Sequence, residues 1–274
     1  MRGWAKGGAT ILGVMALACA GAKAPTVNQG WSTPEFVAIP AGTFQMGVEG
    51  DSDAQPHLVT LSAFEIMKRE VTVAEWTALM GALPLGNHAC SDAARCPPIQ
   101  GVTWREAVSF ANAASERDGL QPAYTLDGDQ VTWDRAANGY RLPTEAEWEY
   151  TARGPADAPA PTGADAGWFK NNCEGAHPAC EKPASGYGTC DMLGNVAEYV
   201  FDDFVAYYPT TPQTDPVVQR EASPYVVVRG GSWFSTLQEI QPGTRSFKPR
   251  DKDVLPPLGV GFRLAREPGA GARL

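Results

Sequence analysis

The sequence lacks a permanent membrane span at its N-terminus: the apolar run there, Ala9 to Ala18, is far shorter than the roughly 20 residues a bilayer requires. Basic charge is also in short supply. Its 22 Lys and Arg face 31 Asp and Glu, a net charge of -9, which argues against nucleic acid or anionic lipid head groups as partners of the whole surface and otherwise serves solubility. Histidine is scarce. His57, His88 and His177 stand apart from one another, and lone histidines are more often hydrogen-bonded surface residues than metal ligands. The cysteine pairs lack the two-to-four-residue spacing and the matching second pair with histidine that a zinc site uses. Ser235 does not sit in a Gly-x-Ser-x-Gly elbow, which leaves a serine hydrolase without a nucleophile there. No internal repeat organises the chain.

What is present begins with an export signal. Arg2 and Lys6 precede the apolar run, and residues 1–18 read as a secretory signal peptide. Cys19 follows Ala18, a small residue that suits lipoprotein processing and acylation of Cys19; the alternative is ordinary cleavage after Ala22 or Ala24. The protein is thus expected in a bacterial-type cell envelope, anchored at Cys19, or else periplasmic or secreted. Membrane contact runs only through the lipid. In that oxidising compartment Cys90 with Cys96, and Cys173 with Cys180, are close enough in sequence to form two local disulfides. Cys190, alone between Thr189 and Asp191, reads as a small buried thiol.

Residues 19–34 read as a tether, 35–267 as the folded domain and 268–274 as a tail. Phe36 to Ile39 and Thr43 to Met46 are β-type runs joined through Pro40, Ala41 and Gly42, which predicts a tight strand pair; a third strand is expected over Leu58 to Ile66. The acidic loop Glu49 to Asp53 lies between them. Thr72 with Glu75, Thr103 with Glu106 and Thr144 with Glu147 have the spacing of capping boxes, so three helices start there. The second carries Trp104, Ala107, Val108, Ala111 and Ala114 on one face and stops before Gly119; the third ends at Gly154. Trp76, Trp148 and Tyr150 are expected to fill the core. Further strands are expected over Gln130 to Trp133, Tyr140 to Leu142, Tyr225 to Trp233 and Gly261 to Ala265. With 29 Gly and 23 Pro, much of the backbone must lie in turns. The pattern predicts an irregular α+β single domain with few helices and many short strands.

Five segments in order carry a resemblance. They are Ile39-Pro40-Ala41-Gly42-Thr43-Phe44-Gln45-Met46-Gly47; Glu70-Val71-Thr72; Gly139 to Tyr150 with its Arg141-Leu142-Pro143-Thr144-Glu145-Ala146-Glu147-Trp148-Glu149 string; Asp191-Met192-Leu193-Gly194-Asn195-Val196-Ala197-Glu198; and Arg229-Gly230-Gly231-Ser232-Trp233, closed by Gly261-Phe262-Arg263. Together they resemble the formylglycine-generating enzyme, or sulfatase-modifying-factor, family. The resemblance implies a variant of the C-type lectin fold. It also implies a calcium site formed by the Asp191 and Glu198 carboxylates and the carbonyls of Gly194 and Val196, an oxygen set suited to a hard cation. Read without the resemblance, Gly194-Asn195 is a turn and Glu198 a surface carboxylate.

Active members of that family hold copper between two thiolates and use one to receive the substrate cysteine. The resemblance places Ser235 and Ile240 at those positions, so no copper is expected: a hydroxyl and an alkyl group cannot replace soft thiolate ligands. Trp233, Phe234, Ser235, Arg245 and Ser246, with Phe247, Lys248 and Arg250 nearby, make a candidate binding pocket for a peptide, protein or glycan. The other reading of Arg245 is a pair with acidic neighbours. The expected function is a non-catalytic binding or accessory lipoprotein. The alternative is an exported enzyme with altered oxidative or metal-poor chemistry, and a formylglycine-generating oxidase stands third.

Overall fold

Three helices begin at the three threonines. In the computed structural model, which describes Met1 and residues 31–220, 223–250 and 256–269, α1 (Val73–Met80), α2 (Trp104–Arg117) and α3 (Glu145–Arg153) each open on a complete capping box. Thr103 Oγ1 accepts from the Glu106 amide at 3.1 Å while Glu106 returns a carboxylate to the Thr103 amide at 2.7 Å, so the first orphan N–H groups are satisfied reciprocally. The signal peptide, Cys19, most of the tether and the last five residues of the tail lie outside the described residues.

The apolar face of α2 meets the main core. Phe110 stacks on Trp76 of α1 at 5.7 Å and meets Phe262 edge-on at 5.3 Å, and Ala107, Ala111 and Ala114 let the helix approach closely. Removing Phe110 would cost about 3–5 kcal/mol by lost contact and cavity formation. Trp76, Trp148 and Tyr150 are buried as expected.

Twelve short strands are described: β1 (Phe36–Ile39), β2 (Gly42–Met46), β3 (His57–Leu61), β4 (Phe64–Met67), β5 (Tyr124–Asp127), β6 (Gln130–Trp133), β7 (Ala197–Asp203), β8 (Gln213–Thr214), β9 (Tyr225–Arg229), β10 (Arg245–Pro249), β11 (Val260–Gly261) and β12 (Ala265–Arg266). They make four small sheets, ordered β1-β4-β12, β10-β9-β7-β11, β2-β3-β8 and β5-β6. The expected pairing of the first two strands is wrong. β1 pairs with β4 and β2 with β3, because the expected third strand breaks at Ser62 and Ala63 and sends its halves into different sheets. Tyr140 to Leu142 contributes only an isolated bridge from Arg141 to Ala265, and the expected strand from Tyr225 ends at Arg229. The four-stranded sheet positions the site, with β10 on its edge.

The disulfides are Cys90–Cys96 and Cys180–Cys190, and Cys173 is free. Two expectations are corrected here: Cys180 does not pair with Cys173, and Cys190, though buried, is no thiol. The loop before Cys190 explains the exchange. Asn195 holds the backbone of His177 through both its amide groups, and the Cys180 amide donates to Asp191 Oδ2 at 2.6 Å, which sets Cys180 beside Cys190. Cys173 Sγ is turned instead toward the carbonyl of Phe169. Disulfides fit an oxidising compartment, and no helix of the described residues is long and apolar enough to cross a membrane.

Candidate functional site

β9 delivers Arg229 and then turns through Gly230 and Gly231, both in the left-handed region at φ 86° and 65°. At Gly230 a side chain has no room: an added Cβ would lie 2.9 Å from the Met192 carbonyl and 3.0 Å from the Trp148 ring. The next turn is closed by the Ser235 amide donating to the Ser232 carbonyl at 2.8 Å and the Ser232 amide donating to Ser235 Oγ at 3.1 Å.

Ser235 and Ile240 come together here. A Cβ built on Gly231 would lie 2.8 Å from Ile240 Cγ2 and 3.2 Å from Ser235 Oγ, so the two side chains meet across one glycine. Their chemistry is that of packing. Ile240 is fully buried beside Trp148, Met192, Leu193, Val200 and Val227, and Ser235 Oγ is engaged by the backbone of its own turn.

In front of this pair lies a cavity of ≈ 240 Å³. Ser232, Ser235, Ser246 and Lys248 give it polar walls, and Phe234 and Leu258, 42% and 48% exposed, form an apolar rim. Trp233 stands outside this lining, with its ring on Phe234 at 4.0 Å and its indole N–H donating to Gln100. Arg245 lines the wall but does not offer its guanidinium. Nε and Nη2 bind Glu145 at 2.7 and 3.1 Å, and the group lies over the Tyr208 ring at 4.1 Å. Of the two readings of Arg245, the acidic partner is the one seen, although that partner is buried rather than on the surface.

The free thiol of Cys173 borders the same turn, 3.8 Å from the Trp233 carbonyl, and the neighbouring Lys170 amide donates to the Ser235 carbonyl at 3.0 Å. Partial burial pushes its pKa up, which disfavours the thiolate.

The segment Asp191 to Glu198 abuts the pocket. The Gly194 amide donates to the Gly230 carbonyl, and the Trp233 amide to that of Asn195, both at 2.9 Å. Glu198 is no surface carboxylate. Arg263 grips it with two 2.7 Å bonds, and Trp148 Nε1 donates to its Oε2 at 2.9 Å. These three bonds leave one of its roughly four lone-pair directions open, on Oε1. Asp191 Oδ1 is buried with no hydrogen-bond partner, as are both oxygens of Glu70, and burial pushes both acids above the usual carboxylate range, Glu70 far above it. Three carboxylates thus share one fully buried guanidinium. The oxygen donors and the unpartnered Asp191 oxygen are of the kind calcium takes, although among the described residues no three acidic, histidine or cysteine side chains converge as a metal cluster.

Sequence reasoning missed Glu70, Arg263 and the acids of α3. Glu145, Glu147 and Glu149 are all buried, and each has an arginine: Arg229 and Arg245 for the first, Arg141 for the second, Arg229 and Arg153 for the third. The available signal was the alternation of acids inside a string whose tryptophan and tyrosine must also be buried.

Residues 22–268 match the sequence pattern of the family described as the sulfatase-modifying factor enzyme 1-like domain. The chain is 29% identical over 246 residues to the chaperone protein LppX of Paenibacillus barcinonensis, covering 76% of this chain and 81% of the relative. It is 28% identical over 300 residues to the formylglycine-generating enzyme of Mycobacterium tuberculosis, covering 86% and 99%. Among solved structures, Treponema denticola variable protein 1 superimposes with a TM-score of 0.75 at 29% identity, covering 85% of this chain and 95% of the other.

Proposed function

The chain belongs to the sulfatase-modifying factor enzyme 1-like family, and on that premise we propose that it is an exported, non-catalytic binding or accessory protein, lipid-anchored at Cys19. One observation carries the reading: where a thiolate pair would have to stand, the side chains that meet across Gly231 are a hydroxyl tied to its own turn and an alkyl group buried in the core. Neither binds Cu(I) and neither exchanges with a substrate thiol. The nearby Cys173 does not repair the loss, because a single thiol whose burial disfavours the thiolate is a poor metal anchor.

The cavity remains usable without that chemistry. Its serine hydroxyls, the Lys248 ammonium and the Phe234 and Leu258 rim suit an extended segment of a protein client, with apolar contacts supplying affinity and the polar wall supplying orientation. The relative named a chaperone supports a role in holding another protein rather than modifying it.

Calcium belongs to this reading as a structural ion. Asp191 and Glu198, with the carbonyls of Gly194 and Val196, would hold it, and its charge would offset the buried excess of carboxylate. Through the Gly194–Gly230 and Asn195–Trp233 hydrogen bonds the same segment steadies the pocket turn. The test is metal analysis of the purified protein. Calcium without copper or iron is expected, whereas stoichiometric copper or iron would favour an enzyme of altered chemistry.

A further inference from the structure

A second cavity, of ≈ 420 Å³, opens where β10 ends, and three of its lining residues are arginines: Arg105, Arg220 and Arg250. It shares none of its described lining with the pocket at Ser235, and nothing in the proposed function depends on it. We propose that this cavity is a binding site for a ligand that carries an oxyanion: a phosphate, sulfate or carboxylate group.

The floor is built rather than incidental. Arg250, just past β10, is tied by its amide to the residue before β9, donating to the Pro224 carbonyl at 2.9 Å. Its guanidinium carbon lies over the Trp104 ring, 4.1 Å from the centroid, and the group pairs through one Nη with Asp203, a fully buried carboxylate that also accepts the Arg220 amide at 2.6 Å. Stacking on an aromatic face and pairing at one nitrogen fix the plane of a guanidinium and leave its other donors pointing where the packing sets them. Arg250 Nε is one of these, buried and without a hydrogen-bond partner. An unsatisfied buried donor on a cation is costly, and an anion is the group that best relieves it.

Two further cations face the same space. Arg105, in the first turn of α2, and Arg220 have no ion-pair partner among the described residues. Asp129 is the single carboxylate among the described lining, against three arginines. Concentrating unpaired guanidinium groups in a concavity of a protein with a net charge of -9 runs against its general surface, and guanidinium forks match the geometry of oxyanions. The volume exceeds that of a bare ion and lies in the range of small-molecule pockets, so the oxyanion belongs to a larger ligand, with Gln130 in the lining for its neutral polar groups and the Gln219 side-chain amide donating instead to the Val131 carbonyl at 2.7 Å.

The test is calorimetric titration of the full chain with sodium phosphate, sodium sulfate and sodium citrate, each against sodium chloride at matched ionic strength. Saturable binding of at least one oxyanion is expected, weakened about tenfold or more in the double variant Arg105→Gln/Arg220→Gln and unchanged in Arg95→Gln, which alters an arginine outside the cavity. Preference for phosphate and sulfate marks a tetrahedral ligand group, and preference for citrate marks carboxylates; either supports the site. If the double variant does not fold, the single variants Arg105→Gln and Arg220→Gln read the same effect, each weakening binding about threefold. Absence of saturable binding by all three salts, or equal affinity in wild type and a folded variant, overturns the proposal.

Discussion

Two clusters of buried carboxylates each take a residue from β7, Asp202 in one and Glu198 in the other, and they are finished in opposite ways. In the one on α3, Glu145 accepts from Tyr208, Arg229 and Arg245, and Glu149 accepts from the Gly47 amide, Arg153 and Arg229. Every oxygen there has a donor. In the other, Glu198 has its arginine, but the Glu70 carboxylate and one oxygen of Asp191 have no hydrogen-bond partner among the described residues. Buried charge is tolerated when it is paired and hydrogen-bonded, so the first cluster is closed scaffold and the second is unfinished without a cation or protons. The closed cluster adjoins the pocket turn through Arg229, the residue before Gly230, and holds that part of the fold in shape.

The largest effect should come from opening the closed cluster. Arg229→Met leaves Glu149 buried beside Arg153 alone and should cost about 3–5 kcal/mol by chemical denaturation, with part of the loss recovered in Arg229→Met/Glu149→Met. A variant as stable as wild type would show that the web adds little.

Asp202 sharpens the contrast, because it joins the closed cluster yet remains poorly placed to ionise. It accepts the Glu145 and Val218 amides at 2.8 and 2.7 Å, but burial, with nearby Glu145, pushes its pKa up to about 7. The folded state therefore binds more protons than the unfolded one between the ordinary aspartate value and about pH 7, and stability falls as pH rises through that window. At about 1.4 kcal/mol per pKa unit, Asp202→Asn should remove a fall of roughly 2–4 kcal/mol from the wild-type profile between pH 4 and 7. Parallel profiles would refute the assignment.

The open cluster should answer to calcium. A ligand at a hundred times its dissociation constant stabilises the folded state by about 2.7 kcal/mol, so millimolar calcium should raise the Tm of wild type and leave Asp191→Asn or Glu198→Gln nearly unmoved. If chelator does not change the wild-type Tm, the cluster is finished by protons instead.

How much of this was legible in the sequence follows from the range of the interactions. Capping boxes are local, and Thr72, Thr103 and Thr144 named their helices correctly. The Ile39-to-Met46 pairing was not local: Gly42 sits next to β1 in sequence yet pairs with Leu61 in another sheet. Cys190 read as a buried small residue, which it is, but its bond to Cys180 depends on how Asn195 and Asp191 fold the loop before it. Arg245 kept both readings open, a ligand-gripping residue or an arginine paired with an acid, because its partner Glu145 lies 100 residues away. The resemblance put Ser235 and Ile240 at the two thiolate positions, and the Gly230-Gly231 turn, itself in a motif, brings their side chains together across Gly231.

We propose that the pocket at Ser235 and Ile240 carries no oxidase chemistry. The direct test is to load the purified protein with copper in air, add a sulfatase-type cysteine peptide, and follow peptide mass. That proposal predicts no tight Cu(I) binding and no formylglycine, with copper binding recovered in Ser235→Cys/Ile240→Cys, whose sulfurs would meet across Gly231 as thiolate ligands. Formylglycine made by the wild-type protein would contradict it.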